Sequence, residues 1–186
     1  MTASRRERAA AGIHFCLGLA IVGTLSVLAI APPIRGSRCY VLLFGAAFVL
    51  YVAAAANASH SGWRVSLKVT LILFAIIQGI LINAPVERST DAYRYLWEGK
   101  VVLHGVNPLM IPPSSPSLRT LRDGTWTQVN NKTISSVYPP ASQEAFALSA
   151  WLAPDSILVW KSLMGICSLV AVVCLALWLR ERGMAP

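Results

Sequence analysis

The sequence predicts an all-α, multi-spanning membrane protein with about four transmembrane helices and a long outer loop that carries short interfacial helices. Three observations predict it. Hydrophobic residues make up 55% of the 186 and charged residues only 13%, whereas a soluble domain carries roughly a quarter charged. The apolar residues gather in runs at 13–31, 39–56, 65–84 and 157–179, each near the ~20 residues that cross bilayer hydrocarbon. Between the third and fourth runs lies a polar, aromatic-bearing segment, 83–156, far longer than a connector requires. The chain reads as one membrane domain over 1–186.

The net charge of +8 is unevenly placed. Segment 83–156 is neutral, with Glu87, Asp91, Glu98, Asp123, Glu144 and Asp155 set against Arg88, Arg94, Lys100, Arg119, Arg122 and Lys132. The excess comes from ten basic residues elsewhere that face only Glu7 and Glu181. Most of them flank apolar runs, so no basic surface for nucleic acid is expected. Cys16, Cys167 and Cys174 sit inside apolar runs and Cys39 at the edge of one, with no CxxC. Neither a zinc site nor a disulfide framework is indicated.

The first run follows Arg5, Arg6 and Arg8 as a signal peptide would. It is long for one, however, and leads into Ala31-Pro32-Pro33 instead of a small-x-small site, so it is expected to be a retained span. Lys68 and Lys161 lie near the ends of the third and fourth runs, where their stems carry the ammonium to the headgroups. Arg5, Arg6, Arg8, Arg64, Lys68, Arg180 and Arg182 fall on one side, while the short connection on the other holds only Arg35 and Arg38. By the positive-inside rule the N-terminus is cytoplasmic and 83–156 lies outside. Trp63, Trp151, Trp160 and Trp178 fall near the expected interfaces.

Within the outer segment, Ser89-Thr90-Asp91 supplies a helix cap with an acid in the first turn. Residues 92–103 follow at helical spacing, and His104-Gly105 with Pro108 ends the helix. Tyr93, Leu96, Trp97, Lys100 and Val101 share one face and Asp91, Tyr95 and Glu98 another, which suggests an interfacial helix. Pro108, Pro112, Pro113 and Pro116 predict extended chain over 107–118, draped on the outer surface. Val137-Tyr138-Pro139-Pro140 then forms a stiff approach to a second short helix, 141–152, whose Ala145, Leu148, Trp151 and Leu152 make an apolar stripe. That helix too is expected in the interface.

Three segments, Asp91-Ala92-Tyr93-Arg94-Tyr95-Leu96-Trp97-Glu98-Gly99-Lys100, Gly105-Val106-Asn107-Pro108 and Val137-Tyr138-Pro139-Pro140, resemble the bacterial polyprenyl-phosphate-sugar-dependent glycosyltransferases of the GT-C fold, among which mannosyltransferases are common. The resemblance is close over 87–140 and covers the spans only in character. Many members carry two adjacent acids where this chain has Thr90-Asp91, and Asn-His where it has Asn130-Asn131. They also have more spans than the four read here, so the chain resembles an N-terminal portion.

The resemblance implies sugar transfer, with mannose among the candidates, from a polyprenyl-phosphate donor to a lipid or glycan acceptor at the outer face of a bacterial inner membrane. It implies membrane lipids and a second chain supplying further spans as partners, and it leaves a divalent metal open. Asp91 is the candidate base in that chemistry; spacing alone also fits a cap at the helix dipole. Arg94 can orient Asp91, contact a lipid phosphate or pair with Glu98 on the surface. Glu98 reads as a second acid, a metal ligand or a solvated helix position. Tyr95, like Tyr93 and Trp97, can stack on a sugar or anchor the helix among headgroups, and Tyr138 can line the site or simply pack. Lys100, Arg119, Arg122 and Lys132 read as solvated or headgroup-binding, His104 as a C-terminal cap, and Gln78 and Asn83 as helix-contact groups. The alternative is a non-catalytic truncated membrane protein or partner subunit. A transporter fits less well, since no run holds a central ionisable residue.

The charge distribution predicts that a cysteine placed at Ser115 reacts with a membrane-impermeant maleimide from the outside of intact cells. Labelling only after permeabilisation would overturn the topology.

Overall fold

The computed structural model describes residues 2–31, 38–61, 67–86 and 89–183. Pro32, Pro33, Arg35, Trp63, Arg64, Glu87 and Arg88, and the side chain of Arg6, lie outside the described residues. All regular structure among the described residues is helical: α1 (Thr2–Ile30), α2 (Arg38–Ser61), α3 (Leu67–Asn83), α4 (Asp91–Leu103), α5 (Gly124–Gln128), α6 (Pro140–Leu152) and α7 (Ile157–Glu181), with a 3-10 turn at Pro116–Leu121.

Three helices are long and apolar enough to cross a membrane, Arg8–Ile30 within α1, Arg38–His60 within α2, and α7. At ~1.5 Å per residue the 25 residues of α7 reach ~37 Å, more than the ~30 Å of hydrocarbon. The apolar α3, where the remaining span is expected, has 17 residues. Large apolar side chains on the long helices stay uncovered, with Leu42 71%, Val49 65% and Ile166 59% exposed. Such rows are costly in water and favourable against lipid tails. Hydroxyls on these helices are satisfied within their own helix: Thr24 donates to the Ala20 carbonyl at 2.8 Å and Ser26 to Val22 at 2.7 Å. This is a membrane protein.

The contacts divide the chain into two compact units, residues 1–85 with 167–186, and residues 86–166. In the first, α1 packs on α2 and α3. The Asn57 amide of α2 donates to the Ala10 carbonyl of α1 at 3.0 Å, and Gly18 of α1 lets the Leu73 side chain of α3 come close.

The second unit is built on α4 against α6. The two backbones meet at Gly99, where a Cβ would stand 2.2 Å from the Phe146 carbonyl oxygen. Only glycine fits there. Trp97, Val101, Leu118 and Val129 form the core, ringed by Val106, Ile111, Leu121 and Trp126. Residues 107–118 therefore do not drape over a surface as the prolines suggest: Pro113 and Leu118 are buried and the Pro116–Leu121 turn closes behind them. Proline removes donors but keeps its carbonyl. Here those carbonyls find partners, the Trp126 indole donating to Pro113 at 3.0 Å and the Ser136 amide to Pro108 at 2.8 Å. The short α5, absent from the sequence reading, starts where Asp123 accepts the Trp126 amide at 2.9 Å. As expected, α4 ends at Leu103; Gly105 follows at φ +75° and His104 Nδ1 donates to the Lys100 carbonyl at 2.8 Å.

Gly99→Ala should destabilise the second unit by about 1 to 3 kcal/mol, because helix backbones must part to admit the methyl. Gly124→Ala, with open space around it, should stay within about 0.5 kcal/mol. Thermal unfolding in detergent followed by circular dichroism checks the pair.

Candidate functional site

The site is organised around a buried acid. Glu98 is fully buried on α4, and Arg94, one turn earlier and 5% exposed, donates from Nε to its Oε1 at 2.7 Å. The pairing expected from spacing is present, but inside the unit instead of on its surface, and Glu98 is not the solvated position that its helix pattern suggests. Its other oxygen, Oε2, accepts from Ser136 Oγ at 2.7 Å and Gln143 Nε2 at 2.9 Å. Gln143 also donates to Ser136 Oγ at 2.6 Å. Arg94 completes the network by donating to the carbonyls of Ile134 at 2.6 Å and Asn131 at 3.4 Å. Each of its three nitrogens thus meets a protein acceptor, which leaves the guanidinium engaged as a structural group.

Asp91 is the first residue of α4 and half-buried. Its Oδ1 accepts from Asn130 Nδ2 at 2.6 Å, while its own amide donates to Ser89 Oγ at 3.2 Å. Thr90 stands at the N-cap position without a side-chain cap bond. Asn130, 39 residues further along the chain, is thus the side chain that holds the acid.

Beside this end of α4 runs an open groove of about 380 Å³ lined by Tyr95, Tyr138, Phe146, Trp160 and Met164 among others. Tyr95 stacks on Phe146 at 4.7 Å between centroids and meets Tyr138 edge-on at 5.0 Å. Trp160 closes the cluster 5.2 Å from Phe146. Burial, then the hydrogen bond with Tyr95, then the nearby Asp91 carboxylate hold the Tyr138 phenol well above its ordinary range; Arg94 acts weakly the other way. Asp91, Tyr95 and Tyr138 are therefore electrostatic neighbours.

The remaining charged residues serve elsewhere. Lys100 bonds to both Asp123 and Asp155. Burial alone would raise Asp155, but the hydrogen bonds from Lys100 and Thr125 and the Lys100 charge carry its carboxyl below the usual value. Arg122 lies over the Trp126 ring at 4.6 Å and Lys132 at 4.8 Å from its centroid, and Arg119 is exposed. Tyr93 is half-buried, and Trp97 is wholly inside the core, away from any headgroup. Among the described residues, no three His, Cys, Asp or Glu side chains gather around one ion position.

Of the residues read from sequence, Asp91, Arg94, Tyr95, Glu98 and Tyr138 come together in the second unit. Ser136, Gln143, Phe146 and Trp160 join them unannounced. Ser136 and Gln143 stand 38 and 45 residues from the acid they bind, so no local pattern marks them. Of the three segments that carry the resemblance, Tyr95 of the first touches Tyr138 of the third, and the amide of Ser136, next to the third, donates to the Pro108 carbonyl of the second. Comparison with protein families, with curated proteins and with solved structures gives no match.

Tyr138 should remain neutral at a pH where exposed tyrosines ionise, near 10. A raised folded pKa means that its contribution to stability is whole below the unfolded value and fades as pH climbs from there towards the folded one. Difference absorbance at 295 nm between the parent and Tyr138→Phe, titrated from pH 8 to 11.5, should show no step assignable to Tyr138 near 10.

Proposed function

We propose that the chain is a membrane glycosyltransferase, or the N-terminal part of one, that transfers a sugar, mannose among the candidates, from a polyprenyl phosphate to a lipid or glycan acceptor. The observation that carries this reading is the meeting of the first and third family-like segments, Tyr95 against Tyr138, in an aromatic groove on the α4 that Asp91 begins. On this reading the acceptor hydroxyl gives its proton to the Asp91 carboxylate. Its oxygen bonds to the anomeric carbon, and the bond from that carbon to the phosphate oxygen breaks with its electrons leaving on the phosphate. Asn130 holds the acid in place without neutralising it. Tyr95, Tyr138, Phe146 and Trp160 offer π faces to the sugar or to the first isoprene units. Arg94 and Glu98 are positioning residues here. The basic residues on one side of the spans support a cytoplasmic N-terminus with the second unit outside, in a bacterial inner membrane.

One observation favours a second reading, a non-catalytic membrane subunit whose second unit binds lipid or another chain. Arg94, three residues beyond Asp91, is taken up by Glu98 and two carbonyls instead of facing a phosphate.

Asp91→Asn should lower radiolabelled sugar transfer from polyprenyl-phosphate donors about 100-fold or more in membranes, with insertion and expression retained, because Asn keeps the size but cannot take the proton. Transfer at the parent rate would remove Asp91 as the base. Absence of transfer from every such donor by the parent protein would favour the subunit.

A further inference from the structure

We infer that a second groove of the unit, walled by Val102, Leu109 and Pro140 and carrying the carboxamides of Asn107 and Gln143, is a binding subsite for an uncharged, hydroxyl-bearing ligand of the sugar class. The groove is open and holds about 400 Å³, inside the ~300 to 1,000 Å³ range of small-molecule sites. It lies wholly within the second unit, at the C-terminal end of α4. Asp91 begins that helix, ~16 Å away along its axis at ~1.5 Å per residue. The inference therefore goes beyond the proposed transfer chemistry and does not rest on it.

A buried carbonyl without a partner marks the groove. Gln143 is 6% exposed and lines it. Both hydrogens of its amide are spent on the Glu98 network, one on Glu98 Oε2 at 2.9 Å and one on Ser136 Oγ at 2.6 Å. Those two bonds fix which end of the amide is which, and they leave Oε1 as an acceptor that no protein group meets. A buried acceptor left unpaired is costly, so a donor brought by a ligand is rewarded there. Asn107 supplies the opposite sense. Its Oδ1 accepts the Leu109 amide at 3.0 Å, which turns Nδ2 outward as a donor on an exposed residue.

The rest of the groove sets the class of the ligand. None of the described residues that line it is charged, so a phosphate, carboxylate or ammonium would give up water with no counter-charge to meet it. The backbone offers few donors, because Pro108 and Pro140 have no N–H and the Gly105, Val106 and Leu109 amides are taken by the Val102 carbonyl, the Val101 carbonyl and Asn107. What remains is one acceptor and one donor on apolar walls. A hydroxyl both donates and accepts, and a pyranose sets neighbouring hydroxyls around an apolar C–H surface. An uncharged sugar ring meets all of these demands at once.

The test is saturation-transfer difference NMR on the full chain in phosphatidylcholine nanodiscs, with empty nanodiscs subtracted. The probes are methyl α-mannopyranoside and methyl α-glucopyranoside, with glucuronate as a charged sugar and N-acetylglycine methylamide as an amide without hydroxyls. Saturation should pass to the two neutral glycosides several-fold more strongly than to the other two. Leu109→Trp, which fills the groove, and Asn107→Asp, which keeps the acceptor for the Leu109 amide but replaces the donor with a carboxylate oxygen, should each lower it several-fold while circular dichroism stays that of the parent. No transfer to either glycoside by the parent would overturn the inference, and stronger transfer to the methylamide would overturn the class of ligand. A signal that survives both variants but is lost in Trp160→Ala would place the sugar in the aromatic groove and overturn the second subsite. Sugar transfer is not read in this experiment, so its outcome is separate from the fate of Asp91 as the base.

Discussion

The second unit depends on one carboxylate being paired away from water. Glu98 has no exposed surface, and an unpaired ion there costs several kcal/mol even after relaxation. Four groups offset that cost: the Arg94 guanidinium, the Ser136 hydroxyl, the Gln143 amide and, through Arg94, the backbone at 131 and 134. Because these groups come from α4, from the chain before Tyr138 and from α6, satisfying Glu98 brings the parts of the site together. A hydrophobic replacement of the whole set could be as stable. Only the polar set dictates where the 131–136 strand of chain must lie.

Around that network the apolar packing is conventional and the geometry follows. Gly99 lets α6 approach α4 closely enough for Gln143 to reach Glu98, and the same approach stacks Phe146 on Tyr95 to make the wall of the groove. The Lys100 bridge to Asp123 and Asp155 ties the outer side of α4 to the start of α5 and to the turn before α7. Asp155, with its depressed pKa, contributes above its unfolded value and loses that contribution as pH falls through the folded one. Screening at this exposed site keeps the contribution small.

Much of this was legible before any coordinates. Long apolar runs marked the three helices able to cross a membrane, because length and composition suffice for them, while the run at 65–84 gives the 17-residue α3. The boundaries of α4 and α6 were marked by Asp91, Gly105 and the paired prolines, whose backbone preferences act locally. What was not legible depends on distant partners. Glu98 looked solvated because helical spacing gives a face and not its cover. The proline segment looked draped because prolines report φ and missing donors, but say nothing of Leu118 finding Trp97. Asn130 stands 39 residues from Asp91, and its bond to that acid became visible only in three dimensions.

If Glu98 organises the unit, removing its charge should loosen distant segments together. The direct measurement is hydrogen–deuterium exchange, resolved by peptide, on Glu98→Gln against the parent in detergent or nanodiscs. The account predicts a joint loss of protection in α4, in residues 131–138 and in α6, because the Glu98 carboxylate is bonded by Arg94 of α4, by Ser136 and by Gln143 of α6. Faster exchange confined to the turn of α4 around residue 98, with 131–138 and α6 unchanged, would contradict it.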